Sequence, residues 1–176
     1  GASVIAIELD RDLCRRLSAE FSGNSAFELM EGDCLSISFS GIAEGKKGRL
    51  KLVSNLPYNI SSPVLFKLMD ERESFSLIAL MLQKEVAQRI ASGPGSKDYG
   101  ILSVLLQTLF HVKKEFDVPP GFFHPRPKVA SSVVSLIPLE TPGISPEEQG
   151  FYRKTVKTAF GQRRKTLLNA LSSGLS

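Results

Sequence analysis

Apolar residues fall into short runs that switch between strand-like blocks and helical spacing. Val4-Ile5-Ala6-Ile7 reads as a buried strand whose C-terminal tip carries Glu8. Asp10 is placed to cap a helix in which Leu13, Leu17 and Phe21 recur on one face. Phe27 to Met30 predicts a second strand, ending before Glu31-Gly32-Asp33, and Gly41 to Gly48 reads as a glycine-rich link. Leu50 to Val53 predicts a third strand, which stops at Ser54-Asn55-Leu56-Pro57-Tyr58. Ser61 or Ser62 then caps a helix reaching Asp70, with Pro63 in its first turn. A strand over Phe75 to Leu82 and a helix over Lys84 to Ile90 follow, then a loop, a helix over Tyr99 to Phe110 and a strand over Val112 to Val118. After the Pro-rich loop Phe122 to Lys128 comes a last strand, Ser132 to Leu136. Helices over Glu147 to Phe160 and Arg163 to Leu171 end the chain.

Alternating strands and helices argue for an α/β fold with one mostly parallel sheet covered on both faces. The last two strands lack a long intervening helix and should form an antiparallel, hairpin-like edge. Thr141 to Pro146 reads as a linker, dividing the chain into a catalytic unit, 1–140, and the start of a helical unit, 141–176. In open α/β folds a glycine-rich ligand loop follows the first strand. None precedes Val4, so the sequence reads as truncated at its N-terminus, with an apolar patch left beside Val4 to Ile7.

Charge is unevenly distributed. Residues 1–110 carry 12 Lys/Arg against 13 Asp/Glu, whereas residues 111–176 carry 10 against 5. Arg153, Lys154, Lys157, Arg163, Arg164 and Lys165 form a basic stretch with no acid among them, which fits a polyanionic partner or simply a basic helix. No run suggests a membrane span or a secretion leader. Cys14 and Cys34 lack companion histidines at ligand spacing, so free thiols are expected and a metal site is not.

Glu8, at a strand tip, suits the paired hydroxyls of a ribose, or is an ordinary loop acid. Asp33 stands likewise after the second strand, where a carboxylate accepts from an adenine's exocyclic amine or simply shapes a turn. Asn55-Leu56-Pro57-Tyr58 ends the third strand at the same sheet edge. There the Asn55 oxygen and Leu56 carbonyl can each accept an amine N–H, Pro57 stiffens the loop, and Tyr58 offers a flat face to an extruded base. The plainer alternative is a turn with a packed tyrosine. In Phe122-Phe123-His124-Pro125-Arg126-Pro127-Lys128, Phe123 can sandwich the base opposite Tyr58, with Arg126 or Lys128 near phosphate. Phe122 is expected to be the more buried phenylalanine.

These stretches carry a resemblance. Val4 to Asp10, Glu31-Gly32-Asp33, Asn55 to Pro63, Met81 to Arg89, Tyr99-Gly100, Phe123 to Val133 and Phe160 to Leu167 occur in the same order in the small-subunit ribosomal RNA adenine dimethyltransferases. That family comprises the kasugamycin-sensitivity methyltransferases and their eukaryotic and organellar relatives. The resemblance implies a class I, Rossmann-like methyltransferase sheet and S-adenosyl-L-methionine as cofactor. It implies that Glu8 binds the ribose, Asp33 the cofactor adenine, and Asn55 both cofactor and target. Asn55 to Tyr58 would be the catalytic loop and Phe123 the second stacking ring. The implied reaction is N6,N6-dimethylation of two adjacent adenosines in the 3′-terminal hairpin of small-subunit rRNA. The implied setting is a monomeric cytoplasmic or organellar enzyme acting on the immature small ribosomal subunit. Three alternatives remain open: a large-subunit rRNA methyltransferase, a methyltransferase-derived RNA-binding or transcription factor, and a DNA adenine methyltransferase.

Overall fold

The computed structural model describes residues 2–162 and 165–174. Strand β1 (Val4–Glu8) leads into α1 (Arg11–Glu20). Asp10 caps that helix as expected: its carboxylate accepts from the Asp12 and Leu13 N–H groups at 2.8 and 3.1 Å, satisfying donors that the first turn leaves open. After β2 (Phe27–Glu31) the expected link is instead a helix, α2 (Phe39–Gly45). The Ser38 hydroxyl accepts from Gly41 N–H at 3.1 Å, and Phe39 is buried edge-on against Phe75 with ring centres 5.2 Å apart. A cap and one apolar anchor here outweigh the low helix propensity of glycine.

Strand β3 (Leu50–Asn55) is followed by a tight turn, Tyr58–Ile60, and α3 (Ser61–Asp70). Neither expected serine caps α3. Ile60 holds the cap position without a side-chain bond, and the Ser61 hydroxyl donates to the Pro57 carbonyl at 3.4 Å. The chain is already coiled when it leaves the turn, so Ser61 is inside the helix. Then come β4 (Phe75–Gln83), α4 (Lys84–Ala91), α5 (Ile101–Leu109), β5 (Phe110–Val118), β6 (Ser131–Pro138), α6 (Gln149–Gly161) and α7 (Leu167–Gly174).

The expectation of one continuous sheet is corrected. Strands β1 and β2 pair in parallel with each other, from Val4 opposite Phe27 to Glu8 opposite Glu31. The other four strands form a separate ladder in the order β3-β4-β6-β5. Within it β3–β4 is parallel, while β6 runs antiparallel to both β4 and β5. The expected antiparallel pair is present, with β6 on the inside and β5 at the edge. Among the described residues no ladder joins β1 to β3. A cleft of about 530 Å³ separates them instead, walled by Val4 to Leu9 on one side and Leu52 to Pro57 on the other. Val4 of β1 is 52% and Val53 of β3 82% exposed, both on the cleft.

The core sits on the larger ladder. No β4 residue is fully exposed, the mark of a strand covered on both faces. Phe75, Ile78, Leu80 and Leu82 of β4 and Val134 and Leu136 of β6 are wholly buried, as are Leu65, Leu68 and Met69 of α3. Helix α6 adds Val156 to this core and bonds Tyr152 to Thr108 of α5 at 2.8 Å between hydroxyl oxygens.

Candidate active site

The end of β1, the residues just after β2 and the end of β3 border the cleft, and Glu8, Asp33, Asn55, Leu56 and Pro57 line it together. Each carboxylate is held by its own loop. Glu8 Oε1 accepts from the N–H groups of Leu9 and Asp10 at 2.8 and 2.9 Å, leaving Oε2 without a hydrogen bond among the described residues. Asp33 Oδ1 accepts from Leu35 N–H at 2.9 Å, and Gly32 N–H donates to the Glu8 carbonyl at 2.9 Å, stitching the two strand ends together. The Cys14 thiol donates to the same carbonyl at 3.4 Å. Burial first, then the charges of Glu31, Glu8 and Asp10, push its pKa up, so it stays a protonated donor.

On the opposite wall, Leu56 roots the loop. Its side chain is 4% exposed, and its N–H donates to the Met81 carbonyl at 3.3 Å, carrying the contact with β4 one residue past Asn55. The Asn55 side chain is exposed and makes no hydrogen bond among the described residues, and the Leu56 carbonyl has none either. A loop with its hydrophobic member buried and its acceptors unpaired at the cleft can receive the N–H groups of a ligand amine. Tyr58 follows Pro57 but is not itself among the residues lining the cleft; it is 38% exposed, with its hydroxyl 3.1 Å from that of Ser131.

Phe123 is not among the residues lining the cleft, and no ring contact joins it to Tyr58 among the described residues. The expected burial order of the two phenylalanines is reversed: Phe122 is 81% exposed and Phe123 half-buried. The turn Pro120–Phe122 puts Phe122 outside, and Phe123 N–H closes it by donating to the Pro120 carbonyl at 3.3 Å. Arg126 and Lys128 are exposed on this loop.

Lys154, Lys157 and Lys165 are exposed, with the Lys157 ammonium 5.3 Å from the centre of the Phe66 ring. Arg153 is more enclosed. It lies 2.7 Å from the Asp70 carboxylate, at an angle too poor for a hydrogen bond, and over the face of Phe66. Its charge thus helps to hold α6 against α3. Arg163 and Arg164 fall outside the described residues. Among the described residues no group of three or more His, Cys, Asp or Glu could hold a metal ion, and no helix is long and apolar enough to cross a membrane. The sequence alone gave no sign of the tie to Ser131, because the two hydroxyls are 73 residues apart in the chain.

Comparison with known proteins bears on this arrangement. The chain is 48% identical over 173 residues to a Geobacter metallireducens protein named ribosomal RNA small subunit methyltransferase A, covering 98% of the chain and 63% of that relative. A Geobacter sulfurreducens protein of the same name is 47% identical, again with 63% of its length covered. The chain thus spans somewhat less than two thirds of these relatives. In three dimensions it matches a dimethyladenosine transferase from Plasmodium falciparum with a TM-score of 0.77 at 30% identity, over 96% of this chain and 59% of that one. It shares its fold with the 23S rRNA methyltransferase ErmE, with a TM-score of 0.73 at 22% identity, over 97% of this chain and 66% of that one. The fold is therefore the Rossmann-like α/β architecture of methyltransferases. The family model for ribosomal RNA adenine dimethylase matches residues 2–176, and this chain belongs to that family.

Proposed function

We propose that the full-length protein uses S-adenosyl-L-methionine to convert two adjacent adenosines in the 3′-terminal hairpin of small-subunit rRNA to N6,N6-dimethyladenosine. The observation that carries this reading is the convergence of Glu8, Asp33 and the Asn55–Pro57 loop on one cleft. Two carboxylates on one wall and two unpaired amide-type acceptors on the other suit a nucleoside cofactor facing an aromatic amine. The free oxygen of Glu8 accepts from ribose hydroxyls and Asp33 from the cofactor's adenine amine, which fits the donor pattern of that group. When bound, the cofactor supplies an electrophilic methyl group on a sulfonium.

The chain's own residues do the rest. The Asn55 side-chain oxygen and the Leu56 carbonyl accept from the target amine, which has two N–H bonds before the first transfer and one before the second, and they favour a pyramidal nitrogen whose lone pair is less delocalised into the ring. As positive charge develops on nitrogen, both acceptors bind it more strongly, which lowers the barrier. Tyr58 and Phe123 stack on the extruded base. Arg126, Lys128, Arg153, Lys154, Lys157, Arg163, Arg164 and Lys165 face RNA phosphate in this reading, Arg153 with only part of its charge free. Residues 141–176 open a helical second unit, and the whole protein acts as a cytoplasmic monomer on immature small subunits. The test is methyl transfer by full-length protein, read by mass spectrometry of nucleosides. Dimethyladenosine on unmodified small-subunit particles is expected. Transfer only to large-subunit RNA or duplex DNA, or RNA binding without transfer, overturns the proposal.

A further inference from the structure

Tyr58 would be a poor platform if its ring were free. It sits in a turn, more than a third exposed, and nothing but its hydroxyl is hydrogen-bonded to the sheet. That hydroxyl meets a very different residue. Ser131 is 1% exposed and is paired on both sides, opposite Gln83 of β4 and opposite Val118 of β5.

The backbone around Ser131 is fixed further. Lys84 N–H donates to the Ala130 carbonyl at 2.9 Å. Next door, the Ser132 hydroxyl donates to Asp117 Oδ1 at 2.6 Å, and Asp117 also holds the Lys84 and Lys114 ammonium groups at 2.8 and 2.7 Å. This network joins the starts of β6 and α4 to the end of β5. Ser131 therefore offers its hydroxyl from a buried point paired to strands on both sides.

We infer that Ser131 is a positioning residue for the target base: its hydroxyl, shared with that of Tyr58, holds the tyrosine ring in the rotamer that stacks on the flipped adenine. A bond at the para oxygen fixes the direction in which the ring points. It stops the side chain from swinging to another staggered χ1 position while leaving the ring face open. An ordered aromatic surface then costs less entropy when the base arrives. Ser131 itself touches no reacting atom. The inference rests on the proposed function, because it assigns Tyr58 to the target base.

A double-mutant cycle on the full-length protein tests it, with Tyr58→Phe, Ser131→Ala and the pair together. Single-turnover methylation of small-subunit particles is measured at saturating cofactor, alongside cofactor affinity and urea unfolding. Each single change should slow transfer about fivefold, as expected for one lost neutral hydrogen bond. The double should lose no more than either alone, with cofactor affinity unchanged in all three. A double that loses about 25-fold, the product expected of independent sites, overturns the inference, as does a wild-type rate in Tyr58→Phe. Should Ser131→Ala melt early, Ser131→Cys takes its place, keeping the size but only a weak donor. The unfolding cycle needs no activity. Coupling there beside an inactive wild type would sink the proposed function and the role of Ser131 in it, yet leave the Tyr58–Ser131 bond standing. Additive effects beside an active wild type would sink this inference alone.

Discussion

Strands β4 and β6 are centred on residues with no exposed surface, such as Ile78, Leu80, Val134 and Leu136, whereas among the described residues β1 and β2 pair only with each other, and they contain no fully buried residue. The two walls of the cleft are consequently held by different means. The Asn55 wall is an extension of the core, rooted by Leu56 and by the β3–β4 ladder. The Glu8 and Asp33 wall is held by short-range bonds to loop N–H groups and by the Gly32 to Glu8 stitch. In the proposed function the groups assigned to the reacting amine lie on the stiff side, and those assigned to the cofactor lie on the softer one.

The largest effect expected from this contrast is in stability. Leu80→Ala, in the middle of β4, should cost about 2–5 kcal/mol in urea unfolding, as buried leucine truncations do. Ile7→Ala on half-buried β1 should cost less than half as much, and β1–β2 amides should exchange hydrogen faster than those of β4 and β6. Equal costs and equal protection would break the comparison.

A smaller effect concerns the two aromatic residues assigned to the target base. Tyr58→Ala and Phe123→Ala should each weaken productive binding of the RNA by about 1–3 kcal/mol, the usual worth of base stacking, with little change in cofactor affinity. Because neither ring lines the cleft and no contact joins the two among the described residues, an effect from Tyr58 alone would remove the sandwich from the account and leave a single stacking face.

The smallest effect is a pH dependence at Asp117. Hydrogen bonds from Lys114, Lys84 and Ser132, in that order, hold its carboxyl well below the usual range, and burial opposes them only partly. A carboxyl depressed in the folded state stabilises the fold at every pH above the ordinary aspartate value. That contribution fades as pH falls from there through the lowered folded value. The stability gap between wild type and Asp117→Asn should thus stay constant from neutral pH down to the ordinary aspartate range and close below it. A gap that closes while aspartates are still ionised would contradict the network.

What was legible in the sequence was what is local. The Asp10 cap joins residues two and three positions apart, and Asn55 to Tyr58 is a continuous signal at a strand end. Helix α2 was hidden because Gly41 inside it, and Gly45 at its end beside Gly48, look like a link, while its anchor, Phe75, lies far along the chain. The break between β1 and β3 was equally hidden, since periodicity marks strands but not which strands bond. Phe122 and Phe123 were misordered because a Pro-rich turn has no period from which to read an inward face. The Tyr58–Ser131 tie needed the assembled ladder, in which β6 sits between β4 and β5.

The division of labour between the walls is tested most directly by comparing Asn55→Ala with Glu8→Ala in the full-length protein, through single-turnover methylation at saturating cofactor and separately measured cofactor affinity. Asn55→Ala should lose about 3 kcal/mol of transition-state stabilisation, on the order of 100-fold in rate, by analogy with loss of one oxyanion-hole donor, while still binding cofactor. Glu8→Ala should weaken cofactor binding first and recover much of its rate once the site is saturated, because its bonds are shared by ground and transition states. If Asn55→Ala keeps the wild-type rate, or loses activity only in proportion to cofactor affinity, the stiff wall does not do the chemistry assigned to it.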